Sequence, residues 1–529
     1  MANELMLPPY LYPTRMELEL VDSVGVSRPL FGYAVSQRLD YGATRWRAKI
    51  TFEKMTTSER HALLAFLNLA GRVRAILVPV YGEAQRGSGV FTELLTNNTF
   101  ANGTTGWTAG SSALTVADRM MRVTALAAAN AYLYQSTSLT QYAPVILRAV
   151  ILDGAQTVGI AIGPALNDGV QTQISDYSTS RGLRTAQFTA LGTSGIQYPG
   201  VFGGSTGFTA GAYFEVPWCS LSRCALVDNG PNALLRSDDF ANAAWTKTLC
   251  SIPATSVTLP DGTSGTVNTL REDGTANDFH YVAQAVTVSS AAADFSFAVA
   301  VKPNNRSWVL VQINESTGNT SASVYFNVST GAIGNISGDT NWSNVRAFMR
   351  NLGNGWYYCA VVGRKTNAAT TITARIYVAE ADGDAQFTGL NQDSHLIWRA
   401  TLAQSSVPTR LVATTTAAVA ATSQALSGAL HTKGWLVSTN GLLNAGDFVN
   451  ISLPTGLHLA RLTAPLNTDA AGIGYLQFEP KLPEAPADNA AIIPNFPLLK
   501  CVLSEPPVVR TYPPGYISDV EIEVEGIFA

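Results

Sequence analysis

Charge is scarce in this chain. Only 14% of its residues are Asp, Glu, Lys or Arg, against about 25% in ordinary soluble domains. The 34 Lys+Arg nearly balance the 38 Asp+Glu, for a formal net charge of −4. No basic block is present, so nucleic-acid binding, which needs clustered cations to neutralise phosphates, is not expected. No apolar run reaches the roughly 18 residues of a spanning helix, so membrane insertion is not expected. The opening Met1-Ala2-Asn3-Glu4 lacks a positive n-region and an apolar h-region, so no secretory signal is expected. Cysteine is sparse as well: Cys219, Cys224, Cys250, Cys359 and Cys501. An odd number at scattered spacing argues against a disulfide framework. No histidine lies near Cys219 and Cys224 in sequence, and the thiols read as buried and free. With no metal-ligand cluster, phosphate-binding loop or dinucleotide fingerprint, no metal and no cofactor is expected. Long coiled-coil heptads are missing too, which disfavours a trimeric fibre.

Ser, Thr, Asn and Gly fill the space that charge leaves. Such a composition is usual for β-rich extracellular or virion proteins, which gain solubility from hydroxyls and amides and form many turns. The 529 residues imply roughly three or four domains.

Period-two alternation marks the N-terminal end. Arg15-Met16-Glu17-Leu18-Glu19-Leu20 and Trp46-Arg47-Ala48-Lys49-Ile50-Thr51-Phe52 each predict a strand with one buried and one wet face. Thr56 with Glu59 three residues on is a capping-box signature. Leu63, Phe66, Leu67 and Ala70 follow at helical spacing, with Gly71 as the stop, so one helix is predicted over 57–70. Ala75 to Val80 predicts another strand. At the C-terminal end, alternation returns. Trp435, a turn at Asn444-Ala445-Gly446-Asp447 and Phe448 to Leu453 read as a hairpin. Gly474 to Phe478 and Asp519 to Gly526 read as further strands. Neither end has enough apolar strand to close a core alone, so the two ends are expected to pair as one platform.

Between them, two modules open alike: Leu94-Leu95 then Phe100 and Trp107, and Leu234-Leu235 then Phe240 and Trp245. This predicts related modules in tandem. The Ala-, Thr- and Ser-rich stretch 411–430 reads as a linker back to the platform.

The C-terminal run resembles the second half of siphophage distal tail proteins. The matching residues are Gly434-Trp435, Ala445-Gly446-Asp447, Arg461, Thr468-Asp469-Ala470 with Gly472, Phe478 to Pro483, and Ala485-Pro486. The strands and helix of residues 14–81 match the first half. The resemblance implies a homohexameric ring at the virion's tail tip, synthesised in the host cytoplasm. Its partners would be other copies of itself, the tail tube protein, the tail-tip hub protein and receptor-binding fibres. Members of the evolved type carry inserted carbohydrate-binding modules, which implies a host surface glycan as a further partner. Residues 93–226 resemble a jelly-roll carbohydrate-binding module through Leu94 to Phe100 and Gly106-Trp107. Asn98-Thr99-Phe100-Ala101 stands where such openings have Gly-Asp-Phe-Glu, which leaves a structural calcium near this turn without its usual sequence. Residues 232–410 resemble a lectin-like β-sandwich of phage tail proteins. The matches are Leu234 to Ser237, Phe297 to Lys302, Gly353 to Cys359, Ile397-Trp398 and Pro408-Thr409.

Chemistry reads as binding rather than turnover. Gly203-Gly204-Ser205-Thr206-Gly207 fits a nucleophile-elbow string, but no helix is predicted after it, so it reads as a glycine-rich loop. A glycosidase needs two carboxylates roughly 5 to 10 Å apart. Asp118, Asp153, Asp168, Asp176 and Glu215 are unpaired in sequence, and Glu272-Asp273 and Glu380 to Asp384 read as solvated turns. Sugar binding instead needs exposed rings against pyranose faces and amides or guanidinium groups for the hydroxyls. Trp107, Trp245, Trp356 and Trp398 sit inside the motifs and read as core. Trp308, Trp342, Tyr177, Tyr198 and His280 lie outside them and are the candidate carbohydrate contacts. Arg60, Asn68 and Arg72, on the polar side of the helix, are candidate contacts between subunits.

The expected fold is mainly β: a split β-sandwich or β-barrel ring domain with one short α-helix, carrying two inserted jelly-roll-type β-sandwiches. The expected boundaries are 1–92, 93–228, 229–410, the linker 411–430, and 431–529. No enzyme activity is expected. The alternative is a free-standing multi-module glycan-binding protein or carbohydrate-active enzyme.

Overall fold

The computed structural model describes residues 5–8, 11, 13–21, 24–27, 37–40, 45–71, 75–80, 93–117, 119–126, 131–139, 144–152, 157–162, 173–178, 182–189, 196–203, 209–419, 428–510 and 519–527. The fold is mainly β, with one helix among these residues.

The chain ends share a sheet. Strand Arg45–Phe52 buries Trp46, Ala48, Ile50 and Phe52 and turns Arg45 and Arg47 to water. It pairs with Arg15–Val21 on one side and with Asp519–Gly526 on the other, Ile522 opposite Ile50 and Val524 opposite Ala48. The wet face of this ladder pairs opposite charges on the diagonal, with Lys49 2.9 Å from Glu521 and Arg45 2.7 Å from Glu525. Ile76–Pro79 pairs with Leu498–Leu503 to complete the join. Helix Thr57–Ala70 starts at a true capping box: the Thr56 N–H donates to Glu59 Oε2 at 2.8 Å, and the Glu59 N–H donates to Thr56 Oγ1 at 3.2 Å. Leu63, Phe66, Leu67 and Ala70 enter the core shared by Ile50, Val78, Leu499 and Ile522. Burying such apolar side chains contributes about 1.5–3 kcal/mol each, which is what holds two distant stretches of chain together.

A closed barrel adjoins this sheet, ordered Ala225–Val227, Ala429–Lys433, Gly474–Glu479, Gly456–Leu462, Phe448–Leu453, Ala491–Ile493. The Trp46 indole N–H donates to the Leu459 carbonyl at 3.0 Å and ties the two together. Three expectations are corrected here. Ala225–Val227, placed in the 93–228 module, is a barrel strand, because its ladder partners are Thr432–Lys433 and Ala491–Ile492. Phe448–Leu453 pairs forward with Gly456–Leu462 rather than back toward Trp435; Gly456, at φ +137°, permits the tight turn, while Trp435 is buried in the barrel with its indole N–H on Thr432 Oγ1 at 2.7 Å. Residues 411–419 are not a free linker: Val412, Thr414 and Val419 hydrogen-bond with Asn232 and Ser237 of the 229–410 module, the third unit along the chain after the first platform half and the 93–228 module, the second. Residues 420–427 lie outside the described residues.

Each inserted module is a β-sandwich, and one sheet of each has the same strand order. In the second module it runs Thr108–Gly110, Tyr132–Tyr134, Gly200–Gly203, Val158–Ile162, Gln173–Ser178. In the third it runs Thr246–Thr248, Tyr281–Thr287, Thr371–Ala379, Trp308–Glu315, Ser321–Asn327, with Ala332–Gly338 added at the edge. The openings match in detail. Asn97 and Arg236 both take φ +49°. Their carbonyls accept the indole N–H of Trp107 at 3.1 Å and of Trp245 at 3.0 Å. Phe100 packs on Trp107 and Phe240 on Trp245, at 5.3 and 4.7 Å between ring centroids.

Polar contacts dock both modules on the platform. Arg148 of the second, fully buried, donates to the carbonyls of Asn495 and Phe496 at 2.9 and 3.0 Å, and Trp218 stacks on Phe496. Half-buried Arg350 of the third pairs with Asp469; within the barrel itself, buried Lys433 lies 3.5 Å from Asp488 and 3.8 Å from Asp228.

Candidate functional site

The third module's six-stranded sheet faces its own core with one side and a groove with the other. Strand alternation makes the division. Val309, Val311 and Ile313, Ala322, Val324 and Phe326, and Ala374, Ile376 and Val378 point into the core. The residues between them line a groove of about 610 Å³.

Register sorts these outward residues into bands. Tyr281 lies opposite Tyr377, Tyr377 opposite Leu310, and Leu310 opposite Tyr325. This apolar and aromatic band crosses four strands, about 14 Å at an interstrand spacing of ~4.8 Å. Tyr281 and Tyr325 are half-buried, and Phe279, 39% exposed, stands edge-on to Tyr377. The next band is polar: Arg375 opposite Gln312, Gln312 opposite Ser323, Ser323 opposite Ser337. Its groups hold one another in place. Arg375 Nη1 donates to Gln312 Oε1 at 3.3 Å and to Tyr377 Oη at 3.2 Å. Tyr377 Oη donates to Gln312 Oε1 at 3.1 Å, and Gln312 Nε2 donates to Ser323 Oγ at 3.0 Å. Burial raises the pKa of the Tyr377 and Tyr325 phenols, so both stay protonated donors. Asn314 and Asn319 close the groove beyond this band.

The loop carrying Asn319 is built on a buried carboxylate. Glu315 accepts from the N–H of Thr317 at 2.7 Å, the N–H of Gly318 at 2.9 Å, Thr320 Oγ1 at 2.7 Å and Asn341 Nδ2 at 3.0 Å. Burial alone would raise its pKa, but hydrogen bonds from Thr320, Asn341, Asn367 and the Thr317 N–H outweigh that and hold it down at about 2.

The candidate contacts divide. Trp308 is half-buried on the outward face of the same sheet, one position along its strand from the aromatic band. It packs so closely on Gly334 that a Cβ there would come within 2.6 Å of its ring. Tyr198 is half-buried in the second module, edge-on to Tyr134. Two candidates are corrected. Trp342 belongs to the core: it is 4% exposed, on the opposite sheet, and its indole N–H donates to the Thr320 carbonyl at 3.1 Å. His280 is fully buried because it precedes outward-facing Tyr281 and so turns inward; its Nδ1 lies 2.8 Å from the Leu249 carbonyl. The Tyr177 side chain and Arg72 lie outside the described residues, as do residues 204–208 of the elbow string. On the platform helix Arg60 is half-buried and Asn68 exposed. Glu272 is also corrected, from a solvated turn to a buried anchor that pairs with Arg306 at 2.9 Å and accepts from Ser394 Oγ at 2.9 Å.

Sequence reading missed Tyr281, Tyr325, Tyr377, Gln312 and Arg375. The usable signal was the outward set of each alternating strand, Leu310-Gln312-Asn314 and Ser321-Ser323-Tyr325. The second module has an aromatic pair at the equivalent register. Counting from Trp107 and Trp245, Tyr132 corresponds to Tyr281 and Phe202 to Tyr377, and the Tyr132 and Phe202 rings stack at 5.3 Å.

No family model matches the chain, and no curated protein matches it. Solved structures similar to it include the N-terminal CBM22-1-CBM22-2 tandem domain of Paenibacillus barcinonensis Xyn10C, at 12% identity over 60% of this chain and 98% of that one, with a TM-score of 0.21. Others are the tandem CBM51 modules of Sp3GH98, the family 98 glycoside hydrolase of Streptococcus pneumoniae SP3-BS71 (11% identity, 54% and 84% covered, TM-score 0.18), and a fucolectin from striped bass, Morone saxatilis, serum (11% identity, 59% and 97% covered, TM-score 0.17). Likeness at this level carries no weight about fold or ligand.

Proposed function

We propose that this chain is a glycan-binding structural protein of the distal-tail type. Its paired ends form the ring-building platform at the tip of a long non-contractile phage tail, and its inserted modules hold host-surface glycan. The observation that carries the glycan reading is the band Tyr281–Tyr377–Leu310–Tyr325 lying directly beside the band Arg375–Gln312–Ser323. Aromatic faces take the apolar side of a pyranose ring, and the amide, hydroxyl and guanidinium groups take its hydroxyls. Among the described residues that line the groove there is no Asp or Glu, so the reading is of a groove that binds and releases, without the carboxylate pair that glycoside cleavage uses. The tail-tip reading is supported by the chain's architecture, in which both modules are inserted into a platform made by the two ends. Ring closure through the helix face carrying Arg60 and Asn68 would raise the avidity of individually weak sites.

Purified full-length protein tests both parts. Negative-stain imaging is expected to give six-fold rings with peripheral lobes, and a glycan array is expected to show binding that Tyr281→Ala weakens. Binding unchanged in Tyr281→Ala overturns the groove assignment, and absence of rings both alone and with tail tubes overturns the tail-tip assignment.

A further inference from the structure

We infer that the third module's groove selects an acidic glycan, with Arg375 holding the carboxylate of a uronic acid residue. This rests on the glycan-binding reading of the same groove and goes beyond it to the class of sugar.

Arg375 is the one charged residue among the groove's described lining residues. Its Nη1 is occupied by two neutral acceptors, Gln312 Oε1 and Tyr377 Oη, and no carboxylate lies within ion-pair distance of it among the described residues. Its Nε is buried without an acceptor. Three other half-buried arginines of this module do have an acid beside them: Arg306 has Glu272 and Glu380, Arg364 has Asp294, and Arg350 has Asp469. A partly desolvated guanidinium without a counter-ion is costly unless something completes it. Gln312, Tyr377 and the Tyr281 ring, 5.7 Å from the guanidinium carbon, hold its plane fixed. With both Nη1 protons taken and Nε buried, Nη2 is the edge of this fixed plane left to a ligand, and a charge-assisted hydrogen bond from it favours a carboxylate over a neutral hydroxyl.

The acids that face the groove stand at its rims. Asp382 Oδ1 accepts the Asn335 N–H at 2.6 Å, and Asp382 and Asp384 raise the pKa of Tyr325 at one end. Asp339 Oδ2 accepts the Ser321 N–H at 2.8 Å at the other. They repel an anion from both ends and leave the centre, at Arg375, as the place for it.

The test is calorimetric titration of the full-length chain with oligouronides (galacturonate, glucuronate and mannuronate series), with the same oligosaccharides after reduction of each carboxylate to a hydroxymethyl group, and with sulfated neutral oligosaccharides. At least one oligouronide is expected to bind about tenfold or more tighter than its reduced form. Arg375→Gln should bring the pair to equal affinity, and Arg375→Lys should recover only part of the difference. Equal affinity of wild-type protein for both forms overturns the inference and leaves a neutral-glycan groove. Preference for the sulfated series alone overturns the carboxylate assignment. Failure to bind any member, reduced forms included, overturns the glycan reading itself. The wild-type comparison decides even if a variant fails to fold.

Discussion

Tyr281 and Tyr377 face each other across neighbouring strands, with ring centroids 4.6 Å apart and planes inclined at 38°. Tyr377 is nearly covered and its hydroxyl is tied to Gln312, so it is a fixed floor; Tyr281 is half open and is the surface a ligand meets. The same register in the second module brings Tyr132 and Phe202 together.

Removing the open rings should weaken binding without unfolding the module. Tyr281→Ala and Tyr325→Ala are each expected to lower glycan affinity about two- to tenfold, since a well-placed aromatic contact is worth ~0.5–1.5 kcal/mol beyond its area. If Tyr132 and Phe202 form a second site, titration stoichiometry should fall from two to one in Tyr132→Ala. Calorimetry reads both numbers, and an unchanged affinity in Tyr281→Ala contradicts the first.

Trp342 and Trp308 should separate cleanly. Trp342→Ala opens a cavity between the two sheets of the third module and should cost about 3–5 kcal/mol. Trp308→Ala, at the half-buried rim, should cost clearly less while reducing glycan affinity. Denaturant unfolding followed by a binding assay distinguishes them; equal destabilisation means that Trp308 is core.

Acid should destabilise the third module over two pH windows. His395 is fully buried, and neither ring nitrogen has a partner among the described residues. Burial lowers its pKa from 6.5 to about 3. The folded state therefore refuses a proton that the unfolded chain accepts, so stability is full above pH 6.5 and falls as pH drops toward 3. Glu315, held at about 2 against an ordinary 4.5, contributes stability that is full above pH 4.5 and lost as pH falls toward 2. Melting temperature against pH should show a shallower loss between 6.5 and 3 in His395→Leu. Glu315→Gln should be less stable at pH 7 and shallower below pH 4.5. Curves parallel to wild type would contradict each assignment.

Arg148→Met should loosen the second module from the platform. It removes the donors to the Asn495 and Phe496 carbonyls and leaves half-buried Glu93 without its nearby cation. Breaking one member of such a buried set typically costs about 3–5 kcal/mol. Limited proteolysis should then cut near residues 224–231 faster than in wild type; an unchanged rate means that the apolar contacts around Trp218 suffice.

Local signals were legible wherever one residue's chemistry determines its neighbours. Thr56, Glu59 and Gly71 bound the helix at 57–70 because capping acts within one turn. Alternation over 45–52 and 519–526 placed both strands because side-chain period is a property of the strand itself. The paired openings at Phe100–Trp107 and Phe240–Trp245 were legible for the same reason: each indole bonds a carbonyl less than a dozen residues away.

What the sequence by itself determined, then, is the mainly β class, the helix over 57–70 and which face of each alternating strand is apolar. Tertiary structure alone decided which strands are neighbours. Ala225–Val227 joins a barrel otherwise made by residues beyond 428 because open ladder positions there accept its backbone groups. Tyr281, Leu310, Tyr325 and Tyr377 form one band only because four strands, far apart in sequence, align in one register. A strand's alternation sets its two faces but not which distant strand lies beside it, so a groove assembled across several strands could not be read along the chain, and Trp342 and His280, polar or aromatic but inward by position, could not be told from contacts.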